Sequence, residues 1–135
     1  MDLIEVPFKK LHPNDIPRPW LPVTIHNPHT KQSISVYGLI DTGADECAVP
    51  AGYAPLIGHD LQAGVAKTIN TGNGPTTAYA HTLSFETDGI KIENVLIDFM
   101  PNLNVVLLGV KSFLSNFILT VDYKNSSFSL KKYHE

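Results

Sequence analysis

Residues 39–45 read Leu-Ile-Asp-Thr-Gly-Ala-Asp and are the sharpest local feature of the chain. Its apolar residues end at an acid, Asp41, which is followed by Thr42 and Gly43. The acid therefore stands at the end of a predicted buried strand. The threonine offers a hydroxyl for a hydrogen bond, and the glycine lets the backbone turn and lets another chain approach closely. This order presents a carboxylate on a rigid loop, which makes Asp41 a candidate catalytic group.

By itself, Asp-Thr-Gly is a weak signal, because an aspartate often begins a β-turn by accepting a backbone N–H through its side chain. The surrounding sequence adds to it. Two predicted strands, at residues 21–25 and 32–40, precede the acid. A Gly-rich hairpin tip at 70–75 follows about thirty residues later, and Val-Val-Leu-Leu-Gly at 105–109 comes later still. The ordered set is therefore more informative than the triplet alone.

The rest of the chain has the pattern of one mostly β domain. Six of the ten prolines fall within the first 28 residues. Because proline fixes φ and removes a backbone donor, residues 1–20 are predicted to form an extended arm and residues 21–135 a single domain. Further strands are predicted at 65–69, 76–86, 90–100, 105–108, 117–123 and 128–131, with one short helix within 109–116. The 135 residues suffice for one core and are too few for two full domains.

Charge and composition exclude several classes of protein. Ten basic residues against thirteen acidic ones give a net charge of -3, which is not the basic surface that nucleic acid requires. No apolar stretch approaches the ~20 residues of a membrane span. The first five residues lack the basic and apolar regions of a secretory signal, and the single cysteine, Cys47, has no partner for a disulfide within the chain. We therefore expect a cytoplasmic protein with no nucleic-acid partner and no membrane association.

Taken in this order, residues 21–132 resemble the retropepsin-like aspartic proteases, the family of the retroviral proteases and their cellular and bacterial relatives. Residues 39–45 match the active-site motif of the family, 70–75 occupy the place of its flap tip, and 105–109 match its second apolar-apolar-Gly element. Residues 117–130 look like the C-terminal hairpin of the cellular, DNA-damage-inducible relatives. The resemblance implies an all-β fold, a closed acid-protease barrel with a flap hairpin and one short C-terminal helix.

The resemblance also implies a mechanism. Two carboxylates share one proton, so that one accepts a proton from a bound water while the other hydrogen-bonds the scissile carbonyl. This chemistry requires no metal and no other cofactor. The chain holds one Asp-Thr-Gly, so the second carboxylate is inferred to be Asp41 of an identical subunit, with Thr42 reaching the partner loop. The implied function is hydrolysis of a peptide or protein substrate by a homodimer in which each chain supplies Asp41, Thr42 and Gly43.

Substrate-binding roles follow from the same match. The main chain of the substrate is implied to contact Ala44 and Asp45. Flap-tip backbone groups that would bond the peptide from above belong to Gly72, Asn73 and Gly74. Apolar side chains implied to line subsites are those of Leu39, Val106 and Leu107.

The chain departs from the family pattern at residues 109–111, which read Gly-Val-Lys. Viral members carry Gly-Arg-Asn there, and the ion pair between that Arg and the acid of the active-site loop is missing unless Lys111 or Arg18 replaces it. This departure favours an alternative function, a catalytically inactive module of the same fold for dimerisation or peptide binding. A small β-barrel that binds a metabolite is a weaker alternative, because it leaves the order of the motifs unexplained.

Other chemically capable residues are expected to have ordinary structural roles. His26 and His29 lie in a predicted turn without a third ligand, which favours a solvated loop over a metal site. Cys47 is expected to be a small buried hydrophobe. Acids without a following Thr-Gly are expected at the surface or in turns, and these are Asp60, Asp88, Asp98 and Asp122.

Overall fold

The chain folds mostly into β-strands, seen in a computed structural model that describes residues 3–133. The strands are β1 (Leu3–Pro7), β2 (Trp20–His26), β3 (Ser33–Ile40), β4 (Ala48–Pro50), β5 (Val65–Thr71), β6 (Gly74–Thr87), β7 (Ile90–Met100), β8 (Val106–Leu108), β9 (Phe117–Asp122) and β10 (Ser127–Lys132). Every strand that the sequence predicts is present, and β1 and β4 are additional. The predicted all-β class is confirmed.

Seven strands form one sheet in the order β2-β3-β8-β4-β7-β6-β5, and a further pairing of β2 with β6 joins its two sides. Six strands thus make a hydrogen-bonded circuit around the core, while β5 lies outside the circuit and pairs with β6. Buried side chains alternate along these strands, as half-buried strands require. Leu21 and Ile25 of β2 and Leu83 and Phe85 of β6 are at most 1% exposed.

The proline-rich arm packs against the C-terminal hairpin. β1 is an edge strand of a second, three-stranded sheet in the order β1-β10-β9, and Ile4 on β1 is buried. The Phe8 N–H donates to the Ser126 carbonyl oxygen at 2.7 Å, and Lys9 and Arg18 form an isolated bridge. An edge position suits a segment that carries proline, because the missing donor faces no neighbouring strand.

The short helical segments are all turns of 3-10 helix within residues 3–133. The segment predicted within 109–116 consists of turns followed by a 3-10 helix at Leu114–Asn116. Three more such turns, at Ala51–Tyr53, Pro55–Ile57 and Leu61–Ala63, follow β4. In the described part of the chain, no helix is long and apolar enough to cross a membrane.

Three imidazoles join the 51–63 segment to the main sheet. The ring of His59 lies 4.6 Å from that of His81 and 6.4 Å from that of His29, measured between centroids, and both His59 and His81 pack edge-on against Phe99. His59 Nε2 lies 3.0 Å from the Thr82 carbonyl oxygen. Burial lowers the pKa of His59 below its usual value of about 6.5, and the neighbouring histidines lower that pKa further.

The lowered pKa of His59 gives a stability prediction with a definite sign. The unfolded chain binds the proton more readily than the folded chain, so the free energy of unfolding falls as pH drops from about 6.5 through the folded pKa. His59→Gln should flatten this dependence in urea titrations between pH 7.5 and 5. The exposed His12, changed to Gln, serves as the control and should leave the wild-type slope in place. An unchanged slope in His59→Gln would contradict the assignment.

Candidate active site

Asp41 is held at the carboxyl end of β3 by the parallel neighbour β8. Leu39 pairs with Leu107 and Ile40 with Leu108, and the Asp41 N–H extends the ladder by donating to the Leu108 carbonyl oxygen at 3.1 Å. These two strands pack closely at Gly38, where a Cβ would lie 2.8 Å from the side chain of Leu108 and would force that side chain to shift. The acid therefore follows a rigid, internally paired strand.

The loop itself fixes the direction of the carboxylate. Asp41 Oδ1 accepts a hydrogen bond from the Gly43 N–H at 3.0 Å, and the Ala44 N–H donates to the Asp41 carbonyl oxygen at 3.2 Å. The aspartate turn that any isolated Asp-Thr-Gly favours is thus present. Oδ2 accepts no hydrogen bond from residues 3–133. Asp41 is half-buried, whereas Thr42 and Gly43 are exposed, so the motif presents one free carboxylate oxygen beside an open backbone.

The segment that begins at Gly109 crosses directly behind this loop. The Val110 N–H donates to the Ala44 carbonyl oxygen at 2.9 Å, and the Lys111 N–H donates to the Asp45 carbonyl oxygen at 2.8 Å. The Gly109 N–H points at Cys47 Sγ, 3.3 Å away. A Cβ at position 109 would collide with the Glu46 carbonyl oxygen and lie 2.7 Å from that of Ala44. Only glycine allows this approach.

Cys47 is a buried, protonated thiol rather than a nucleophile. It is fully buried, and burial raises the pKa of its thiol to about 12. A thiol with such a pKa holds its proton at neutral pH and reacts slowly. The prediction that it is a small buried hydrophobe is confirmed.

Val110 stands where the viral members carry arginine, and the next residue, Lys111, forms an ion pair with Glu46. Lys111 Nζ lies 3.1 Å from Glu46 Oε1, and this contact raises the pKa of Lys111. Arg18 pairs with Asp15 at 3.0 Å and so has another partner. The Lys111 side chain is 69% exposed, and exposed pairs of this kind contribute little stability. The backbone bonds of residues 110 and 111 therefore do most to hold the loop.

Of the apolar residues beside Asp41, two face the open side of the sheet and one faces the core. Leu39 and Leu107 are paired across β3 and β8 and are half-exposed. Since alternate residues of a strand share a face, they lie on the side of the sheet to which Asp41 belongs. Val106 is 1% exposed and belongs to the core cluster, on the opposite face. Of the three predicted lining residues, the structure brings Leu39 and Leu107 to the open side.

The hairpin of β5 and β6 ends in a tight two-residue tip. Thr71 pairs with Gly74, which has a φ of +100° that favours glycine, so Gly72 and Asn73 form the turn. Thr71 Oγ1 donates to the Gly74 carbonyl oxygen at 2.7 Å and accepts from the Asn73 N–H at 3.2 Å. Residues 71–73 are exposed, so their backbone is free to meet a ligand.

Two residues near the site were missed or misplaced by the sequence-based reasoning. Glu46, the partner of Lys111, was not singled out. Asp98 was expected at the surface or in a turn, and this is wrong: it lies in β7, its residue is 3% exposed, and its carboxylate meets Lys67 Nζ at 2.9 Å. A charge within the apolar run 95–100 was the available signal, because a charge inside a buried strand requires a partner.

The Asp41 loop forms an open surface in the single chain. Two grooves of about 490 Å³ each are lined by other residues, among them His26, Glu86 and Lys91 in one and Glu5 and Ser129 in the other. In the same part of the chain, no group of three or more His, Cys, Asp or Glu side chains is placed to hold a metal ion.

The comparisons with known proteins show the family and the fold of the chain. The family model described as "Aspartyl protease" matches residues 21–112, about two thirds of the chain and the part that contains Asp41, β8 and Gly109. The chain therefore belongs to the aspartyl protease family. The comparison with curated proteins found no match.

Solved structures show the same fold at low sequence identity. A retropepsin-like aspartic protease from Rickettsia conorii is 22% identical, with a TM-score of 0.73 over 96% of this chain and 99% of that chain. The retroviral protease-like domain of Ddi1 from Leishmania major is 14% identical, with a TM-score of 0.60 over 90% of this chain and 98% of that chain. The EIAV protease, solved in complex with the inhibitor HBY-793, is 17% identical, with a TM-score of 0.50 over 73% and 88%. The predicted retropepsin-like fold is confirmed.

The close crossing at Gly109 predicts a selective cost for a single methyl group. Gly109→Ala forces its Cβ into two backbone carbonyls, so we expect the free energy of unfolding to fall by about 1–3 kcal/mol or more. Gly72→Ala is the matched control, because a Cβ at Gly72 meets nothing within 4 Å, and its effect should stay within about 0.5 kcal/mol. Equal midpoints for the two variants in urea denaturation would contradict the account of the crossing.

Proposed function

We propose that the chain is an aspartic endopeptidase that works as a homodimer. The observation that carries the proposal is the Asp41 loop: a half-buried carboxylate with one free oxygen, held by β8 and Gly109, stands beside the exposed Thr42 and Gly43 on an open surface. One chain supplies one such carboxylate. A two-fold axis at this surface would place the Asp41 side chains of both chains opposite each other. A buried Cys47 without a disulfide fits a reducing, cytoplasmic setting.

In the proposed mechanism the two Asp41 carboxylates share one proton. Two such groups a few ångströms apart do not both ionise, and their apparent pKa values belong to the pair. The ionised partner accepts a proton from a bound water, and that water attacks the scissile carbonyl carbon. The protonated partner donates to the carbonyl oxygen. The tetrahedral intermediate collapses as the C–N bond breaks and the amine takes a proton from the dyad.

The same arrangement suggests how a peptide would bind. Ala44 and Asp45 lie next to the acid in the loop, where their backbone can meet the main chain of a substrate. The tip formed by Gly72, Asn73 and Gly74 would close over the peptide from the other side, since a Gly-rich hairpin can approach a main chain and can move. The half-exposed Leu39 and Leu107 offer apolar walls, with Val106 supporting them from the core.

One observation favours a second candidate, a module of the same fold without catalysis. Lys111 pairs with Glu46 instead of making the arginine pair of the viral relatives. Such a module would bind peptide or form the dimer without cleaving anything. The two candidates differ in one readout, which is the dependence of cleavage on the Asp41 carboxylate.

Asp41→Asn should abolish peptide cleavage, because an amide cannot take the proton of the attacking water. We expect a loss of at least about 10²–10⁴-fold in kcat/KM on a peptide library read by mass spectrometry. Folding and dimerisation should stay close to wild type. Asp88→Asn, at an exposed turn with a φ of +47° that asparagine also adopts, is the control and should retain activity. Near-normal cleavage by Asp41→Asn would sink the assignment.

Mixing inactive and active chains tests the shared dyad. If each site needs two Asp41 carboxylates, adding an equal amount of Asp41→Asn to wild type, at concentrations where all chains are paired, should leave about half of the activity. Adding an equal amount of Asp88→Asn should instead about double it. Full wild-type activity in the presence of Asp41→Asn would show that one chain acts alone.

A further inference from the structure

We propose that the Lys67–Asp98 ion pair is the device that fixes the base of the β5–β6 hairpin relative to the Asp41 loop, and that Lys67 and Asp98 are positioning residues for peptide binding. The proposal rests on the proposed function of that loop. Its starting point is a buried charge. The Asp98 side chain is 5% exposed, and its Oδ1 lies 2.9 Å from Lys67 Nζ.

A carboxylate at this depth requires a partner. Taking a carboxylate out of water is unfavourable unless an opposite charge or several hydrogen bonds meet it, and removal of one partner from a buried pair is strongly destabilising. Lys67 supplies the charge while keeping its side chain 40% exposed, so its stem crosses the protein surface and its ammonium group reaches inward. The buried Asp98 is therefore fixed within the sheet, and it holds the longer Lys67 side chain in place.

The pair bypasses one strand of the sheet. Lys67 of β5 stands opposite Ala78 of β6, and Asp98 of β7 stands opposite Ala80 of β6. Opposed residues share a face, and so do residues two apart, so all four side chains lie on the same face. Two strand spacings amount to about 9.6 Å. The two alanines leave room for the lysine to cross β6 and reach the acid.

The outer strand of the hairpin has little else to hold it. β5 is the last strand of its sheet and pairs with β6. Most of its residues are exposed, including Val65, whose exposed fraction is 73%. Since few side chains of β5 are buried, the ion pair gives this strand a side-chain connection to β7, beyond β6. Lys67 stands five residues before Gly72, about 17 Å along an extended strand, so the pair fixes the base and leaves the tip free.

The other end of the pair is joined to the Asp41 loop. The Asp98 N–H donates to the Cys47 carbonyl oxygen at 3.0 Å, and Asp98 stands opposite Ala48 at the start of β4. β4 follows the Asp41 loop directly in the chain. Lys67 therefore connects the hairpin that would cover a peptide with the strand that leaves the catalytic loop. Without this connection, the bound peptide has to order the hairpin, and the entropy lost in doing so reduces the binding free energy. We therefore expect peptide binding to weaken more than the chemical step slows.

The test uses the full chain in three variants. Lys67→Met removes the cation, Asp98→Asn removes the anion while keeping its shape, and the double variant removes both. Hydrogen exchange of the amides of residues 65–71 should accelerate about tenfold in each single variant, with no further gain in the double variant, because the two residues act as one unit. Exchange in the β9–β10 hairpin should stay at the wild-type rate. Lys67→Arg keeps the positive charge and should keep the slow exchange of wild type. Lys91→Met, at an exposed lysine of β7, is the matched control and should exchange at the wild-type rate.

Steady-state kinetics supply the second readout. KM for a cleaved peptide should rise about five- to tenfold in the single variants, with kcat within about twofold of wild type. Wild-type exchange rates at residues 65–71 in both Lys67→Met and Asp98→Asn would overturn the proposal. Faster exchange at residues 65–71 with an unchanged KM would also overturn it, because the ion pair would then have no role in peptide binding. A chain with no peptidase activity would contradict the proposed function, and the exchange measurement would still decide whether the pair fixes the hairpin.

Discussion

The structure depends on one close approach, the crossing of Gly109 behind the Asp41 loop. Backbone N–H groups of residues 110 and 111 bond the carbonyl oxygens of Ala44 and Asp45, and no side chain fits between the two segments. The crossing brings β8 beside β3 in parallel, and that pairing in turn ends at Asp41. A carboxylate placed by backbone bonds has little freedom to turn away, and such preorganisation is what acid–base chemistry requires.

The Asp41 loop supplies one carboxylate and lies at the surface of the chain. At 135 residues the chain has one core and one Asp-Thr-Gly. Thr42 and Gly43 of this loop are exposed. The loop lies within the part of the chain that matches the aspartyl protease family. The exposed Thr42-Gly43 backbone beside a fixed acid is the feature on which the proposed homodimer rests. In the proposed homodimer, a two-fold axis at this surface would bring a second such carboxylate opposite the first.

Most of the strands and the position of the Asp41 loop could be predicted from the sequence, because alternating apolar residues and an ordered set of motifs are local signals. The region from Ala48 to residue 63 could not, since its three-residue pieces are held by distant contacts: Ala48 pairs with Asp98, and the Asn27 side chain donates to the Ile57 carbonyl oxygen. The inward orientation of Val106 could have been predicted, because alternate residues of β8 face the core. The partner of Asp98 was not available, because Lys67 lies 31 positions away and only the folded sheet brings them together.

The proposed function requires two copies of this chain to share one pair of Asp41 carboxylates. A crystal structure of the protein with a statine-type peptide inhibitor, whose hydroxyl stands in for the attacking water, tests it most directly. We expect a two-fold dimer in which Asp41 of each chain lies within hydrogen-bond distance of that hydroxyl and of the other Asp41. An inhibitor bound to one chain alone, or two Asp41 side chains well beyond hydrogen-bond reach in the complex, would contradict it.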